Sequence, residues 1–496
     1  MADYDVIVIG AGNGGLTAAT TLARSGVKTL LLEQHNVPGG AATSFCRGRF
    51  EFEVSLHQLS GLGTEKSPGP LRGTFAKLGV LDKLHFVEEH NIYRSWVPGR
   101  LDVTLPADRA GIIDVLVSRF PGEREGINGL FDLIYKFSQE MSQGVLGRDP
   151  EFSADKYPVF CNFALQDSDS VMSGFLKDPL LKLAIASYWP YVGHPPKQMS
   201  FLDLAFMLFL YVEYKPHHFK GGSQALSQAL LDSFLEAGGT ARFSCGAKKI
   251  VVENGEVRAV VTDHGDEIEA DFVISNASLL TTYMDMIGAD NLPAEAMAAL
   301  KPHTIGPSAI TAYCGLDCLP ADIGIKVSST FASITGNVET MFGSPHCFDK
   351  PEGLELTCYD LADPDFSPPG TCQVSLINLS YADHWLRLPP ESYHETKYEY
   401  ASQMLDIAEK MHPGFRAALE EVEVATPLTH MNYLRSPGGA IYGFDQYIKD
   451  NNMFGSHRSP LKGLFHTGAW AGMGGFHPSL ESGVQAASAV VRAMNR

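Results

Sequence analysis

The first 33 residues place a strand, a glycine-rich turn, a helix and a second strand in immediate succession. Residues 6–9 are all β-branched, which is typical of a strand buried on both faces of a parallel sheet. The turn over residues 10–15 follows at once, residues 16–25 form an alanine-rich helical segment, and residues 29–32 form a second apolar strand that ends at Glu33. This order predicts a βαβ unit of the dinucleotide-binding type.

Each glycine of the turn has a mechanical role. Gly10, Gly12 and Gly15 satisfy the pattern GxGxxG. The first permits the tight turn, the second lets the backbone approach a pyrophosphate, and the third allows close packing of helix and strand. Asn13 and Gly14 lie in the same turn, just before the helix, whose free N–H groups and partial positive charge attract the anion. The turn therefore predicts a pyrophosphate site.

An acidic residue follows the second strand. Glu33, with Gln34 beside it, lies where the ribose hydroxyls of a dinucleotide would be accepted, and a carboxylate there disfavours a 2′-phosphate. The chain has one convincing fingerprint of this kind, so a second, tightly bound NAD is not expected.

A second glycine pair decides between FAD and NAD. Gly39 and Gly40 lie in the stretch VPGGAAT, directly after the acid. This stretch resembles the second glycine motif of the glutathione-reductase-2 type flavoproteins, an acid followed by GGR and a threonine. Ala41 or Ala42 stands where that family has arginine, so a guanidinium contact to the flavin side is not carried over. The resemblance implies FAD, beneath which the glycines turn the chain.

The C-terminal end carries another glycine-rich stretch. A strand leads to Gly468, and a loop that includes Gly475 leads to the terminal helix, which contains Ser482. In the related flavoproteins the pyrophosphate–ribityl chain and the flavin ring lie here. Many of them have an acid directly after the glycine that matches Gly468, whereas this chain has Ala469, so the ribityl carboxylate contact is not carried over. We expect the two chain ends to hold one cofactor together.

A third segment, in the middle of the chain, is predicted to return to the same domain. Residues 226–237 are predicted as a helix, residues 243–252 and 257–262 as the strands of a hairpin, and residues 270–277 as a buried strand with a polar turn. This succession resembles the phytoene desaturase-type flavoproteins. By position, the main chain near Ala247 would meet the adenine.

Together these motifs resemble the phytoene desaturase, carotenoid isomerase and retinol saturase group. Residues 50–57, 426–433 and 438–443 add to the likeness. The resemblance implies redox or isomerisation chemistry on an unsaturated, lipophilic substrate, often a polyisoprenoid. It also implies an α/β fold with a discontinuous Rossmann-type FAD domain of the glutathione-reductase-2 type and an interleaved substrate domain of mixed sheet and helices.

The cofactor segments divide the chain into two interleaved domains. The FAD domain is predicted to comprise residues 1–75, 216–285 and 455–496, and the substrate domain residues 76–215 and 286–454. The length of 496 residues suits two such domains.

Candidate catalytic and substrate-binding residues lie beside the segments expected near the flavin. His57 and His477 are candidates for proton transfer or substrate orientation, because histidine titrates near neutral pH. The alternative is a hydrogen-bonded histidine that closes the cofactor cleft. The candidates for the wall of the flavin or substrate site, with ordinary packing as the alternative, are Trp470, Phe476, Tyr433 and Tyr442.

The stretch over residues 201–211 is almost continuously apolar. Such a helix is usually buried core, and the alternative is a tunnel wall or a membrane-dipping entrance for a lipid. No apolar run reaches transmembrane length, so peripheral membrane contact is left open. HExxH and Cys/His zinc spacings are absent, and we expect no metal site.

Charge and cysteine content argue against several other classes. The formal net charge is -19 and the sequence pI is about 5.3, a balance that repels nucleic-acid backbones. Eight cysteines without a CxxC pair do not resemble a disulfide framework. An acid stands where the basic region of a signal peptide would lie, so we expect a cytoplasmic protein.

Hydride transfer between FAD and an apolar terpenoid, carotenoid or retinoid-like substrate is the function we expect. Desaturation is the first choice, followed by saturation and cis–trans isomerisation. The alternatives are an amine-oxidase-like flavoenzyme and a non-catalytic lipid or prenyl carrier of the same fold. The sequence leaves the electron acceptor and the oligomeric state unspecified.

Overall fold

The computed structural model describes residues 2–300, 303–448 and 456–495. The predicted domain boundary between residues 454 and 455 lies outside these ranges, as do residues 1 and 496. The strands, in chain order, are β1 (Tyr4–Ile9), β2 (Thr29–Leu32), β3 (Ser44–Arg47), β4 (Phe50–Glu53), β5 (Phe86–Glu88), β6 (Asn91–Val97), β7 (Leu101–Pro106), β8 (His217–Phe219), β9 (Thr240–Arg242), β10 (Ala247–Glu253), β11 (Glu256–Thr262), β12 (Glu267–Ser275), β13 (Ser308–Leu316), β14 (Ser329–Ser333), β15 (Gly353–Cys358), β16 (Cys372–Ser380), β17 (Leu419–Ala425) and β18 (Leu464–His466). The α-helices are α1 (Asn13–Arg24), α2 (Pro70–Leu78), α3 (Arg109–Arg119), α4 (Arg124–Glu140), α5 (Pro158–Phe163), α6 (Ser168–Ser173), α7 (Pro179–Ile185), α8 (Phe201–Tyr214), α9 (Gly222–Glu236), α10 (Ala294–Leu300), α11 (Val338–Gly343), α12 (Ala382–Arg387), α13 (Pro390–Met411), α14 (Pro427–Leu434) and α15 (Phe476–Met494).

The first sheet contains the N-terminal unit. Strand β1 lies between β2 and β12 and pairs in parallel with both, so that Val8 is opposite Leu31 and Ile274. Strands β9 and β18 extend the parallel part beyond β2 and β12, and β10 and β11 add an antiparallel edge. Hydrophobic cores on both faces bury the β-branched residues of β1. This sheet confirms the Rossmann-type α/β fold predicted from the sequence.

The second sheet has the order β17-β13-β16-β15-β14-β6-β7. Its pairs are antiparallel except for β14 with β6, so the sheet is mixed. Because side chains alternate along a strand, Leu354 and Leu356 of β15 pack in the core shared with α13. Glu355 lies between them in sequence and belongs to the opposite face.

The two chain ends meet at helices α1 and α15. Thr17 Oγ1 donates to the carbonyl oxygen of Leu480 at 2.9 Å. A Cβ on Gly483 would lie 2.0 Å from Thr17 Oγ1 and 2.2 Å from the carbonyl oxygen of Gly14. The close approach of the two helices therefore depends on the missing side chain at Gly483.

Several element boundaries differ from the sequence prediction. Helix α1 begins at Asn13 rather than at residue 16, because Gly12 itself is the N-cap. Helix α9 begins at Gly222, four residues before the predicted start, and strand β10 begins at Ala247 rather than at residue 243. The apolar stretch at 201–211 is the first part of α8. No described helix combines the length and the apolar composition needed to cross a bilayer.

Candidate active site

A cavity of about 1870 Å³ lies against both sheets. Its volume exceeds the roughly 300–1,000 Å³ of a typical ligand pocket, so it has room for a dinucleotide and a second large molecule. Gly15 lies just behind its wall, against Gly10. The other predicted site residues all line it: Gly10, Gly12, Asn13, Gly14, Glu33, Gln34, Gly39, Gly40, Ala41, Ala42, His57, Ala247, Tyr433, Tyr442, Gly468, Trp470, Gly475, Phe476, His477 and Ser482.

The N-terminus of α1 opens onto this cavity. Gly12 caps the helix, its first turn contains no acid, and among the described residues no side chain bonds to its first N–H groups. A Cβ on Gly14 would lie 2.7 Å from the backbone nitrogen of Gly468. Backbone from both chain ends thus forms a cradle in which the first N–H groups of α1 are free of side-chain partners, which suits a pyrophosphate.

Asn276 lies inside this cradle, although the sequence patterns do not single it out. An ideal Cβ at Gly468 would lie 2.3 Å from Asn276 Oδ1, and one at Gly12 would lie 2.9 Å from Nδ2. The Asn276 N–H donates to the carbonyl oxygen of Ile9 at 2.8 Å, which fixes the residue at the end of β12 beside β1. A polar residue at the carboxyl end of a strand next to the fingerprint strand was the signal available in the sequence.

Two backbone N–H groups hold the carboxylate of Glu33. Ala11 N donates to Oε2 at 2.6 Å, and His35 N donates to Oε1 at 2.7 Å. Each oxygen keeps a further lone pair, so the carboxylate can also accept ribose hydroxyls from the cavity. Gln34 and Ala247 line the same cavity.

Gly39 and Gly40, the second glycine motif, form a turn that packs against the glycine turn over residues 10–15. Gly39 N donates to the carbonyl oxygen of Ala11 at 2.8 Å, and Ala42 N donates back to that of Gly39 at 2.9 Å. The φ angles of Gly39 (+123°) and Gly40 (+61°) favour glycine. Ala41 and Ala42 line the cavity where the related motif has arginine, so this turn adds no positive charge there.

The C-terminal loop is held by α15. Gly468 N donates to Ser482 Oγ at 3.0 Å, and this hydroxyl lies 3.1 Å from Thr467 Oγ1. Gly475, with a φ of +112°, precedes α15, whose N-terminus has no side-chain cap among the described residues. The uncapped helices, the glycine cradle and the Glu33 carboxylate fit FAD, which supplies hydride transfer when bound.

His57 lines the cavity and is paired with a buried carboxylate. Its Nδ1 lies 3.2 Å from Oε1 of Glu355, and the side chains are 15% and 4% exposed. Burial alone would lower the pKa of His57. The charge of Glu355, its hydrogen bond and the charge of Glu53 outweigh burial and raise this pKa above its ordinary value.

His477 lies in the same cavity wall, and no carboxylate of the described residues pairs with it. Its Nδ1 lies 3.3 Å from Ser60 Oγ. Burial lowers the pKa of His477 to about 4, so this ring is neutral at pH 7. The pKa values of the two candidate histidines are therefore shifted in opposite directions, which their sequence positions do not reveal.

The predicted aromatic wall residues have different surroundings. Trp470 is buried and packs edge-on against Phe444, with ring centroids 4.9 Å apart. Phe476 is near Phe219, and the Tyr442 hydroxyl donates to the carbonyl oxygen of Pro190 at 3.1 Å. Tyr433 is 57% exposed, and its ring lies 6.3 Å from that of His35 beside Glu33. Tyr433 therefore lies at the rim near the dinucleotide's ribose site.

Helix α8 provides an apolar wall of the cavity. At its C-terminal end the Tyr211 hydroxyl donates to the carbonyl oxygen of Gln58 at 3.1 Å, next to His57. Leu146 also lines the cavity and is 50% exposed. The residues of α8 that line the cavity are Leu202, Asp203, Phe206, Met207, Leu210 and Tyr211. This stripe is about 14 Å long at a rise of 1.5 Å per residue.

Comparison with known proteins places the chain among flavoproteins. The family described as flavin containing amine oxidoreductase matches residues 14–491. The chain is 25% identical over 470 residues to a prolycopene isomerase from Daucus carota, covering 89% of this chain and 72% of that protein. It is 24% identical over 535 residues to an all-trans-retinol 13,14-reductase from Danio rerio, covering 99% and 86%. A putrescine oxidase variant has the same fold, with a TM-score of 0.66, 14% identity and 99% coverage of both chains. The predicted resemblance and the predicted FAD cofactor are confirmed.

Proposed function

The chain belongs to the flavin-containing amine oxidoreductase family, and on that premise we propose that it transfers a hydride between FAD and a carbon–carbon double bond of an extended isoprenoid polyene. The observation that carries the proposal is the mostly apolar stripe of α8, which lines the same cavity as the FAD cradle. Its length of about 14 Å suits a chain-like, apolar molecule. Transfer of such a molecule from water into a cavity with this wall is favourable without a polar anchor, because it buries apolar surface.

The direction of transfer that we propose is reduction. Prolycopene and retinol, which appear in the names of the two relatives, are conjugated isoprenoid polyenes, and those relatives are named an isomerase and a reductase. A histidine with a raised pKa beside the cavity supports the same direction, since reduction of a double bond consumes a proton. Desaturation, the first choice from the sequence, would use the same groups in reverse.

Oxidation of an amine is the second candidate, because the family name includes amine oxidoreductases. Apart from Asp203, whose buried carboxylate accepts from the Ser200 hydroxyl at 2.6 Å, the side chains of α8 that line the cavity are apolar or aromatic. Such a wall argues against a charged amine, which loses hydration there. The third candidate function is a prenyl or lipid carrier. The glycine cradle and the Glu33 carboxylate argue against it, because a carrier needs neither.

Anaerobic half-reactions separate these functions. We expect protein reconstituted with FAD and reduced with dithionite to regain the oxidised flavin spectrum when retinol or a lycopene isomer is added. The product should be heavier by H₂. An isomer of unchanged mass would indicate isomerisation, bleaching of the oxidised flavin by a polyene precursor would indicate desaturation, and bleaching by amines would overturn the proposal. Failure to bind FAD would favour the carrier.

Met207→Trp should obstruct the substrate compartment without affecting FAD. Met207 lies in the middle of the α8 stripe and is half-buried, so a larger ring there enters the cavity. We expect kcat/KM for a long polyene to fall by about tenfold, equivalent to about 1.4 kcal/mol, with unchanged flavin content. Leu165→Trp is the control, because Leu165 is 69% exposed and does not line the cavity. Equal kinetics of the two variants would place the substrate elsewhere.

A further inference from the structure

The carboxylate of Glu355 is held in one orientation by several donors. The Tyr191 hydroxyl donates to Glu355 Oε1 at 2.7 Å, and the Thr357 hydroxyl donates to the same oxygen at 3.3 Å. His57 Nδ1 is the third group at this oxygen, at 3.2 Å. Glu355 is buried on the face of β15 that contacts His57, between two leucines that belong to the core on the opposite face. These contacts hold the carboxylate rigid. It therefore orients the imidazole of His57, whose Nδ1 lies next to it.

The orientation of His57 follows from this contact. With Nδ1 directed at Glu355, the Nε2 atom lies on the other side of the ring, and we find no hydrogen bond to it among the described residues. The ring lines the large cavity. His57 can therefore hold a proton on Nε2 while Glu355 stabilises the positive charge from behind.

His477 provides an internal comparison, because it lines the same cavity and is joined to the same segment through Ser60. None of the described carboxylates pairs with it, and burial lowers its pKa to about 4. The charged and titratable groups that face His57 are Glu355 from β15, Glu53 from β4 and Tyr191. Both carboxylates favour the protonated ring of His57, whereas burial favours the neutral ring of His477.

We propose that His57 Nε2 donates the proton that enters the substrate, and that Glu355 is the positioning residue that keeps this nitrogen directed into the cavity. The inference rests on the proposed function. In reduction, one carbon of the double bond receives the hydride supplied by the reduced flavin and the other receives the proton. Two C–H bonds replace one π bond, His57 becomes neutral, and water returns its proton between turnovers. Dithionite supplies the two electrons in the assay.

The first arm of the test needs no substrate. Histidine-ring NMR of the FAD-loaded protein, with His57 assigned from the His57→Asn variant, should give a pKa above 6.5 for His57 and a far lower one for His477. In Glu355→Gln, only the smaller effect of Glu53 still opposes burial, and the pKa of His57 should fall below 6.5. Glu391→Gln, at an exposed position, should leave it unchanged.

The second arm measures turnover of reduced protein with a polyene. A proton donor must be protonated, so the wild-type rate should fall as the pH rises through the pKa of His57. In Glu355→Gln this fall should occur at lower pH, leaving about a tenfold lower kcat at pH 7 with little change in KM. Glu355→Asp should restore part of the rate. The kcat of His57→Asn should be at least tenfold lower than that of wild type, and it should show no such fall as the pH rises.

The two arms separate the failure of this proposal from failure of the proposed function. A His57 titration that does not respond to Glu355→Gln would overturn the pairing. Normal kcat and an unchanged pH profile in His57→Asn would overturn the donor role even if polyenes are reduced. If the wild type reduces no polyene while the NMR titrations behave as expected, the proposed substrate is wrong and the His57–Glu355 pair is upheld. Flavin content equal to wild type serves as the folding check for each variant.

Discussion

Gly15→Ala is expected to lose its FAD. A Cβ at this position would lie 1.8 Å from the carbonyl oxygen of Gly10 and 3.3 Å from Cβ of Asn276. The first of these contacts is with backbone, so α1 and the turn must separate. Overpacking costs about 1–3 kcal/mol in a typical core, and here the displaced atoms are those of the pyrophosphate cradle. We therefore expect FAD affinity to fall by about 100-fold, which corresponds to about 2.8 kcal/mol.

The flavin-to-protein ratio after gel filtration, followed by titration of the apoprotein with FAD, measures this effect. Gly73→Ala is the matched control, because Gly73 is an exposed residue of α2 and a Cβ there would meet no atom within 4 Å. In the control we expect unchanged flavin content and slightly higher stability, by up to about 1 kcal/mol, from the better helix propensity of alanine. Full flavin content in Gly15→Ala would show that the helix can move away from β1 without loss of the cradle.

Glu89→Gln is expected to change how the stability of the protein depends on pH. Glu89 is buried beside the active-site segment and accepts from Gln58 Nε2 at 3.1 Å. Burial raises the pKa of Glu89 from 4.5 to about 7, against the lowering effect of hydrogen bonds from Ser328 and Gln58. Between these two values the folded state binds more protons than the unfolded state, so stability falls as the pH rises.

The size of the effect follows from the same two values. Each pKa unit corresponds to about 1.4 kcal/mol, so the wild type should lose about 3 kcal/mol through Glu89 between pH 4.5 and 7. Glu89→Gln removes this loss. The free energy of unfolding of the variant, relative to that of wild type, should therefore be higher at pH 8 than at pH 5 by about 3 kcal/mol. Urea unfolding midpoints of both proteins at both pH values give the measurement, and Glu88→Gln, at an exposed neighbouring position, is the control. A difference that does not vary with pH would mean that Glu89 is ionised in the fold at low pH.

The FAD half of the site could be predicted because its determinants are local. The turn over residues 10–15 requires glycines for its own backbone geometry, and the strands and helices around it have characteristic hydrophobic periods. The C-terminal loop and the second glycine pair are likewise recognisable within about ten residues each. The fold class and the cofactor followed from them, and both are confirmed. Only Gly15 does not reach the cavity, and its contact with Gly10 is the packing role that the motif assigns to it.

The remainder of the site depends on contacts between segments that are distant in sequence. Asn276 enters the cradle because β12 pairs with β1, and nothing within its own segment indicates that. Tyr433 and Trp470 both line the cavity. Tyr433 lies at an exposed rim, whereas Trp470 is buried edge-on against Phe444, and these surroundings follow from the packing of α14 and of the C-terminal loop.

The sequence by itself determined that this chain builds a Rossmann-type sheet, closes it with its own C-terminal helix and binds FAD, because backbone conformation and helix amphipathicity are properties of short segments. Only the tertiary structure decided that His57 faces Glu355 while His477 faces Ser60, and that α8 extends the cavity with an apolar wall. The reason is physical: the charge of a buried histidine is fixed by the groups packed within a few ångströms of it, and here the deciding carboxylate comes from a different sheet, almost 300 residues along the chain.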